Sequence, residues 1–409
     1  MLTDLTFIHA ADLHLDSPFY GISHLPEPIF ARIKESTFAS VRHMMDAAVR
    51  ENVDFILLAG DLFDEANRSL KAQLFLKKQF ERLRESGISV YVIFGNHDHL
   101  GGEWTPIEWP ENVHIFSSSV PEEKSFYKEG RRIASIYGFS YQARAVTENQ
   151  AARYRRSTDA PFHIGMLHGS LSGSEGHDPY CPFTYDDLVK SGMDYWALGH
   201  IHKRQVLSAE HPAVIYPGNT QARHMKETGD KGYYLVHVTN GDISYQFQKA
   251  HDVLWEKAVI DVTVARNMTA LFQMIEDTFS KLRTKGSPAC VRLVLQGRKP
   301  EWLLEAPKGT LDELLEAFQE QEAEEEQFVW PLSLDDETEN EANLITNLDP
   351  FFGGLFEDLD RSDLTDVLDG LERHPVYRRH ADRFSQEELQ EIKEQAQILL
   401  KRQLKVLEI

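Results

Sequence analysis

The chain is poor in cysteine, lacks long apolar runs and, over most of its length, carries little excess of either charge. Two cysteines in 409 residues, Cys181 and Cys290, are too few for a disulfide framework or a zinc-type thiolate cluster, which fits a reducing compartment. No stretch approaches the ~18 consecutive apolar residues a membrane-spanning helix needs, so a helical membrane protein is excluded. The opening residues, Met-Leu-Thr-Asp-Leu-Thr-Phe-Ile-His, lack a basic segment followed by an apolar core, so no secretory signal is expected. A soluble, cytoplasmic protein with no membrane partner is the expectation. The formal net charge of −22 argues at first against a polyanionic partner. Its distribution changes that reading: residues 301–409 hold 29 acidic and 10 basic residues, whereas residues 1–300 hold 36 and 33. The near-neutral N-terminal part can accept an anion, more so if it holds divalent cations.

What the chain does have is a repeated strand-end pattern. The apolar run Val90-Tyr91-Val92-Ile93-Phe94 stops abruptly at Gly95-Asn96-His97-Asp98. It reads as a buried parallel strand delivering polar side chains at its carboxyl end, where open α/β sheets build their sites. Phe7 to Ala11 likewise runs into Asp12-Leu13-His14, Phe55 to Ala59 into Gly60-Asp61, His163 to Leu167 into His168-Gly169, and Tyr195 to Leu198 into Gly199-His200-Ile201-His202. Between the first three strands, an apolar stripe from Phe30 to Val49 and the segment Leu70 to Leu83 have helical spacing, giving β-α-β-α-β with a parallel sheet.

Residues from about Trp104 to Arg156 are weakly patterned and read as the edge where a second sheet begins. Asn240-Gly241 between β-prone runs is a strong hairpin signal, and the first domain is expected to span 1–255. A smaller α/β capping domain is assigned to 256–345: strand (Ala258 to Val264), helix (Met268 to Leu282), strand (Cys290 to Leu295), and a helix opened by a Thr310/Glu313 capping box. Pattern fades over Glu316 to Glu326, and Asp335 to Glu341 reads as a mobile acidic stretch. A helical tail over 346–409 ends in an amphipathic helix opened by Ser385 and Glu388, docked on its own domain or on a partner.

Asp12, His14, Asp61, Asn96, His168, His200 and His202 form a mixed nitrogen and oxygen donor set, suited to Mn²⁺, Fe²⁺ or Zn²⁺ rather than to Ca²⁺ or Mg²⁺. They exceed what one ion needs. Two ions sharing a bridging carboxylate, assigned to Asp61, would use them all and clamp an in-line phosphoryl displacement. His97 is left off the metals as the residue that faces the phosphate and protonates the leaving oxygen, with Asp98 orienting it. His9, His99, His163 and His177 are read as structural or surface residues. Arg223, His224 and Lys226, with Lys203 and Arg204 beside them, are either substrate-phosphate contacts or a solvated loop; Arg153, Arg155 and Arg156 read as a solvated face.

In order and spacing these motifs resemble those of the calcineurin-like metallophosphoesterases. Phe7 to Pro18 and Tyr216 to Gly229 resemble more specifically the bacterial SbcD-type DNA repair nucleases and their YhaO subgroup, over roughly residues 1–250. The resemblance implies a four-layer α/β/β/α sandwich holding two Mn²⁺ ions, one on Asp12, His14, Asp61 and His202, the other on Asp61, Asn96, His168 and His200. It further implies exonucleolytic cleavage of DNA phosphodiesters in repair, a capping domain, homodimerisation and a partner ATPase of the SbcC type, YhaN-like in this subgroup. One position differs: some relatives have a second catalytic histidine three residues after the bridging aspartate, where this chain has Asp64. The competing readings are a phosphoesterase for nucleotides or other small phosphodiesters, and a DNA-end-binding scaffold whose metal centre is structural.

Overall fold

A computed structural model describes residues 4–339 apart from 20, 23–24, 65–68, 103–104 and 174–179, together with four isolated positions beyond, Leu368, Leu389, Ile392 and Ala396. The chain starts as expected with β1 (Asp4–Ala10), α1 (Glu27–Arg50), β2 (Phe55–Ala59), α2 (Leu70–Glu85) and β3 (Ser89–Ile93), the three strands pairing in parallel. Helix α1 follows Pro26, buries Ile33, Phe38, Val41, Met44 and Ala48 on one face, and stops before Asn52, whose φ of 50° breaks the helical path. Helix α2 is capped by Ser69, whose hydroxyl accepts from the Ala72 N–H.

The weakly patterned stretch turns out to be shared between two sheets. Strand β4 (Val113–Ile115) lies beside β3 in the first sheet, while β5 (Glu122–Lys128) and β6 (Arg131–Gly138) open the second. That sheet continues with β7 (Phe162–His168), α3 (Tyr185–Ser191), β8 (Tyr195–Gly199), β9 (Gln205–Ser208) and β10 (Ala213–Tyr216), in strand order β5-β6-β7-β8-β10-β9. The Asn240-Gly241 hairpin then joins β11 (Gly232–Thr239) to β12 (Asp242–Lys249) and returns the chain to the first sheet, antiparallel to β1. Its order is β12-β11-β1-β2-β3-β4.

The side chains of β2 show why its run is apolar throughout. Phe55, Leu57 and Ala59 face the core between the sheets, and Ile56 and Leu58 face α1 and α2. In β8, Tyr195 and Ala197 point inward while Trp196 and Leu198 pack outward with Leu188 of α3. Strands buried on both faces need apolar residues at every position. The result is the four-layer order: helices, sheet, sheet, helix.

Beyond them β13 (Leu254–Asp261), α4 (Met268–Arg283), β14 (Ala289–Gln296), α5 (Glu301–Leu304), α6 (Thr310–Glu322) and β15 (Val329–Asp336) build a parallel three-stranded sheet with its own core. A separate apolar seam joins this unit to α1 through Ile29, Ile33, Trp255, Cys290 and Trp330. No described helix is long and apolar enough to cross a membrane.

Three expectations need correction. Helix α6 begins at Thr310 without a capping box: Gly309, at φ 90°, is its N-cap, and the Thr310 hydroxyl donates backward to the Pro307 carbonyl. The segment in which pattern seemed to fade stays helical to Glu322, because Leu314, Phe318 and Glu322 form its buried face. Glu322, fully buried, accepts from the Val329 N–H at 2.7 Å and from Arg283, so an apolar pattern could not reveal it. In the acidic stretch, Asp335 and Asp336 belong to β15 and pair with Arg292 and Lys299, each at 2.6 Å. The expected Ser385 capping box lies outside the described residues, as does the 346–409 tail but for the four positions named.

Glu322→Ala is expected to cost about 2 kcal/mol by stranding the Val329 N–H and the Arg283 guanidinium. Glu322→Gln, which still accepts, should lose less, and urea unfolding midpoints compare the two.

Candidate metal centre

Asp61 sits where the strand ends of both sheets meet. Its Oδ2 lies 3.3 Å from His168 Nε2 and 3.9 Å from His14 Nε2, and its Oδ1 accepts from the His97 N–H at 3.0 Å. The backbone is unusual: Asp12 (φ 52°), His14 (φ 40°), Asp61 (φ 52°) and His200 (φ 96°) all have positive φ without being glycine. Such residues are uncommon, and their clustering at one place marks a site where side-chain placement outweighs backbone comfort. Glycine makes room here, and at Gly60, whose φ is 90°, it also suits a left-handed backbone. A Cβ on Gly60 would lie 2.4 Å from His168 Nδ1, and one on Gly95 2.7 Å from His168 Nε2, so these two positions leave the slot that admits the imidazole.

Two groupings of ligand atoms, each within 4.8 Å of one another, share Asp12: Asp12/His14/His202 and Asp12/Asp61/His168. His14 Nε2 and His202 Nε2 are 3.1 Å apart, and His168 Nε2 is 3.0 Å from Asn96 Oδ1. The opposite ring nitrogens of His168 and His202 are already engaged. His168 Nδ1 lies 2.9 Å from the Ala59 carbonyl and His202 Nδ1 2.6 Å from Glu227 Oε1, pairings that place a proton on Nδ1 and leave a lone pair on Nε2. Carboxylate and amide oxygens then face Nε2, an arrangement that repels unless a proton or a metal cation lies among them. Spacings near 3 Å are those of adjacent ligands around an ion with bonds of about 2.0–2.2 Å. The residues thus fit divalent ions.

A proton on Nε2 meets the same need as a cation: burial alone would make His168 less basic, yet Asp61 pushes its pKa up to about 9, so an ion bound at Nε2 displaces that proton. Burial would raise Asp61, yet His168, His97 and His14 hold its carboxyl well below the usual carboxylate range. Asp12 is pushed up by burial and accepts from the His200 N–H at 3.1 Å. His200 is the expected ligand whose ring is not part of these groupings; it lies edge-on to His168 and Tyr180, with centroids 5.3 and 5.4 Å away.

Asp98 does not orient His97, as the sequence suggested. Its carboxylate accepts from the backbone N–H groups of Gly95 (2.7 Å), Asp61 (3.2 Å) and Leu62 (2.7 Å), tying together the two turns that carry Asp61 and Asn96. Burial, with Asp61 nearby, pushes its pKa up to about 7. The partner of His97 is Asp64, with Oδ1 3.5 Å from His97 Nδ1. Despite burial, the Asp64 carboxyl is held well below its ordinary value by the His97 hydrogen bond and by His14 and Arg223. His97 is raised: burial opposes its charged form, but Asp61 and Asp64 outweigh it.

Arg223 Nη1 donates to Asp64 Oδ2 at 2.9 Å and to Ser17 Oγ at 3.3 Å, so this expected phosphate contact is pinned beside His97. His224 Nε2 lies 3.6 Å from Glu227 Oε1, and Lys226 is exposed. Lys203 is exposed too, and the Arg204 guanidinium covers the Phe247 ring at 3.8 Å. Arg153 and Arg156 pair with Glu148 and Asp194. His9 fills a structural role between Tyr195 Oη (2.9 Å) and the Leu198 carbonyl (3.1 Å), and burial lowers it to about 3. His177 lies outside the described residues.

Glu227 is the site residue that sequence reasoning missed. Its only signal was to be a carboxylate in an otherwise basic loop, and no spacing rule connects it to His202.

The profile for calcineurin-like phosphoesterases matches residues 5–204, and that for the middle domain of metallophosphoesterase YhaO matches residues 255–339. The chain is 92% identical to an uncharacterized metallophosphoesterase YhaO of Bacillus subtilis (strain 168) over the full length of both. It is 27% identical to the DNA double-strand break repair protein Mre11 of Methanocaldococcus jannaschii, over 58% of this chain and 64% of that protein. A solved dimetal phosphatase from Danio rerio is 12% identical, with a TM-score of 0.33, over 60% of this chain and 99% of that one.

Replacing Glu227 by Ala frees His202 to rotate and to protonate at Nε2. Mn²⁺ affinity measured by calorimetry is expected to fall about 10- to 100-fold, with circular dichroism unchanged.

Proposed function

The chain belongs to the calcineurin-like metallophosphoesterases, and from that membership we propose that it hydrolyses DNA phosphodiester bonds using two divalent ions, Mn²⁺ by preference. The observation that supports the two-ion reading is one Asp61 oxygen, Oδ2, lying 3.9 Å from His14 Nε2 and 3.3 Å from His168 Nε2, with Asp12 common to the two groupings of ligand atoms around it. Asp12, His14, Asp61 and His202 would hold one ion, and Asp61, Asn96, His168 and His200 the other. Bound there, divalent ions supply activation of the attacking water and neutralise charge on the phosphoryl group.

The chain's own groups do the rest. His97, one-third exposed and beside Asp64, is the proton donor to the leaving oxygen; Asp61 and Asp64 shift it in the direction that favours holding a proton. Arg223 holds Asp64, and Asp64 holds His97. Asp98 keeps the Asp61 turn against the Asn96 turn, so it is a positioning residue in this scheme. DNA as the substrate class is supported by the likeness to an archaeal protein named for double-strand break repair. An exonuclease working as a homodimer with an SbcC-type ATPase in the cytoplasm completes the proposal, with 1–255 as catalytic domain, 256–345 as cap and 346–409 as tail.

Labelled DNA, a small diester and Mn²⁺ test this together. DNA hydrolysis that stops on chelation supports the proposal, and hydrolysis of the small diester alone replaces DNA with a small substrate. His97→Asn is expected to lower turnover about 10²- to 10⁴-fold while leaving metal content intact. Loss of the metals in that variant would show that His97 is a ligand instead.

A further inference from the structure

The segment from Asn219 to Glu227 reaches both histidines that matter for turnover. Glu227 holds His202 at 2.6 Å, and Arg223 reaches His97 through Asp64. The segment is internally tied, because Glu227 Oε2 accepts from Asn219 Nδ2 at 2.8 Å and from the Arg223 N–H at 2.7 Å. Thr220 Oγ1 near Ser40 Oγ at 3.3 Å, the Asn219 N–H on the His202 carbonyl at 3.4 Å and Ala222 in the apolar seam help fix it to the rest of the molecule, and Gln221, 1% exposed, is the residue that ties it to the three-stranded unit through its side-chain amide. Its Nε2 donates to the Val253 carbonyl at 2.7 Å, and its Oε1 accepts from the N–H groups of Asp252 at 2.8 Å and Val253 at 3.2 Å. A side-chain amide is thus clamped onto backbone at the start of the three-stranded unit, where Val253 and Trp255 enter the apolar seam.

We propose that Gln221 is a positioning residue for phosphoester hydrolysis: its amide, locked on the Val253 backbone, sets the segment that aims His202 and His97, and so makes the geometry of the centre depend on the seating of the three-stranded unit. A buried amide with both donor and acceptor satisfied across 32 positions of sequence fixes distance and rotation together, which an apolar side chain there cannot do. The inference rests on the two-ion reading above.

The test uses the full chain, Mn²⁺ calorimetry and hydrolysis of bis(p-nitrophenyl) phosphate. Gln221→Met is expected to weaken one of the two Mn²⁺ sites about tenfold and to lower kcat without raising KM. A merely structural role would lower the unfolding midpoint and leave Mn²⁺ affinity and kcat untouched, and that result overturns the proposal. Wild-type protein that binds no Mn²⁺ overturns the two-ion reading itself, a different failure. Should Gln221→Met not fold, wild-type hydrogen exchange read by mass spectrometry decides: by linkage, Mn²⁺ should slow exchange in the peptide containing the Asp252 and Val253 amides, and unchanged exchange there overturns the proposal.

Discussion

The structure turns on a carboxylate in a dry place. Asp61 is almost wholly buried, and removing an ionised group from water costs several kcal/mol unless opposite charge and hydrogen bonds replace the water. Its compensation comes from both sheets: the His97 N–H at the end of β3, His14 after β1, and His168 at the end of β7. Asp61 can be accommodated only if the sheets meet at these strand ends, and once accommodated it helps hold them there.

The loops after the strands extend this logic. The Asp12, His14 and Leu15 N–H groups donate to the carbonyls of Gly60, Asp61 and Leu62, continuing the β1–β2 pairing past the strands and into the site. His168 then crosses to the Ala59 carbonyl, His9 to that of Leu198, and the His200 N–H to the Asp12 carboxylate. Each crossing joins one sheet to the other. The metal centre and the inter-sheet contact are therefore one network, and the positive-φ residues within it are the backbone cost of bringing so many side chains to one point.

What the sequence revealed and what it concealed follow from the same geometry. The convergence of the strand-end residues was legible because an apolar run buried on both faces has a sharp end, and the polar residues after Ala59 or Ala11 could only lie at that end. The Asn240-Gly241 hairpin was legible because its turn chemistry is local. Asp98 was misread because adjacency in sequence is not adjacency in space: His97 leaves the turn toward Asp64, while Asp98 folds back under Gly95 and Asp61. Glu227 and Glu322 were missed for a related reason. Each is a buried acid whose partners, His202 and Arg283, lie 25 and 39 positions away, and neither periodicity nor capping rules carry information over that span.

Charge completes the account of why cations belong here. Asp12, Asp61, Asp64, Asp98 and Glu227 crowd the centre, and Arg223 beside them is paired with Asp64. A phosphodiester approaching these groups alone meets repulsion in a low-dielectric site, where it is strongest. Divalent ions held by the converging nitrogens and oxygens would reverse that field, so the same donor atoms would serve both the binding of an anion and the chemistry proposed for it.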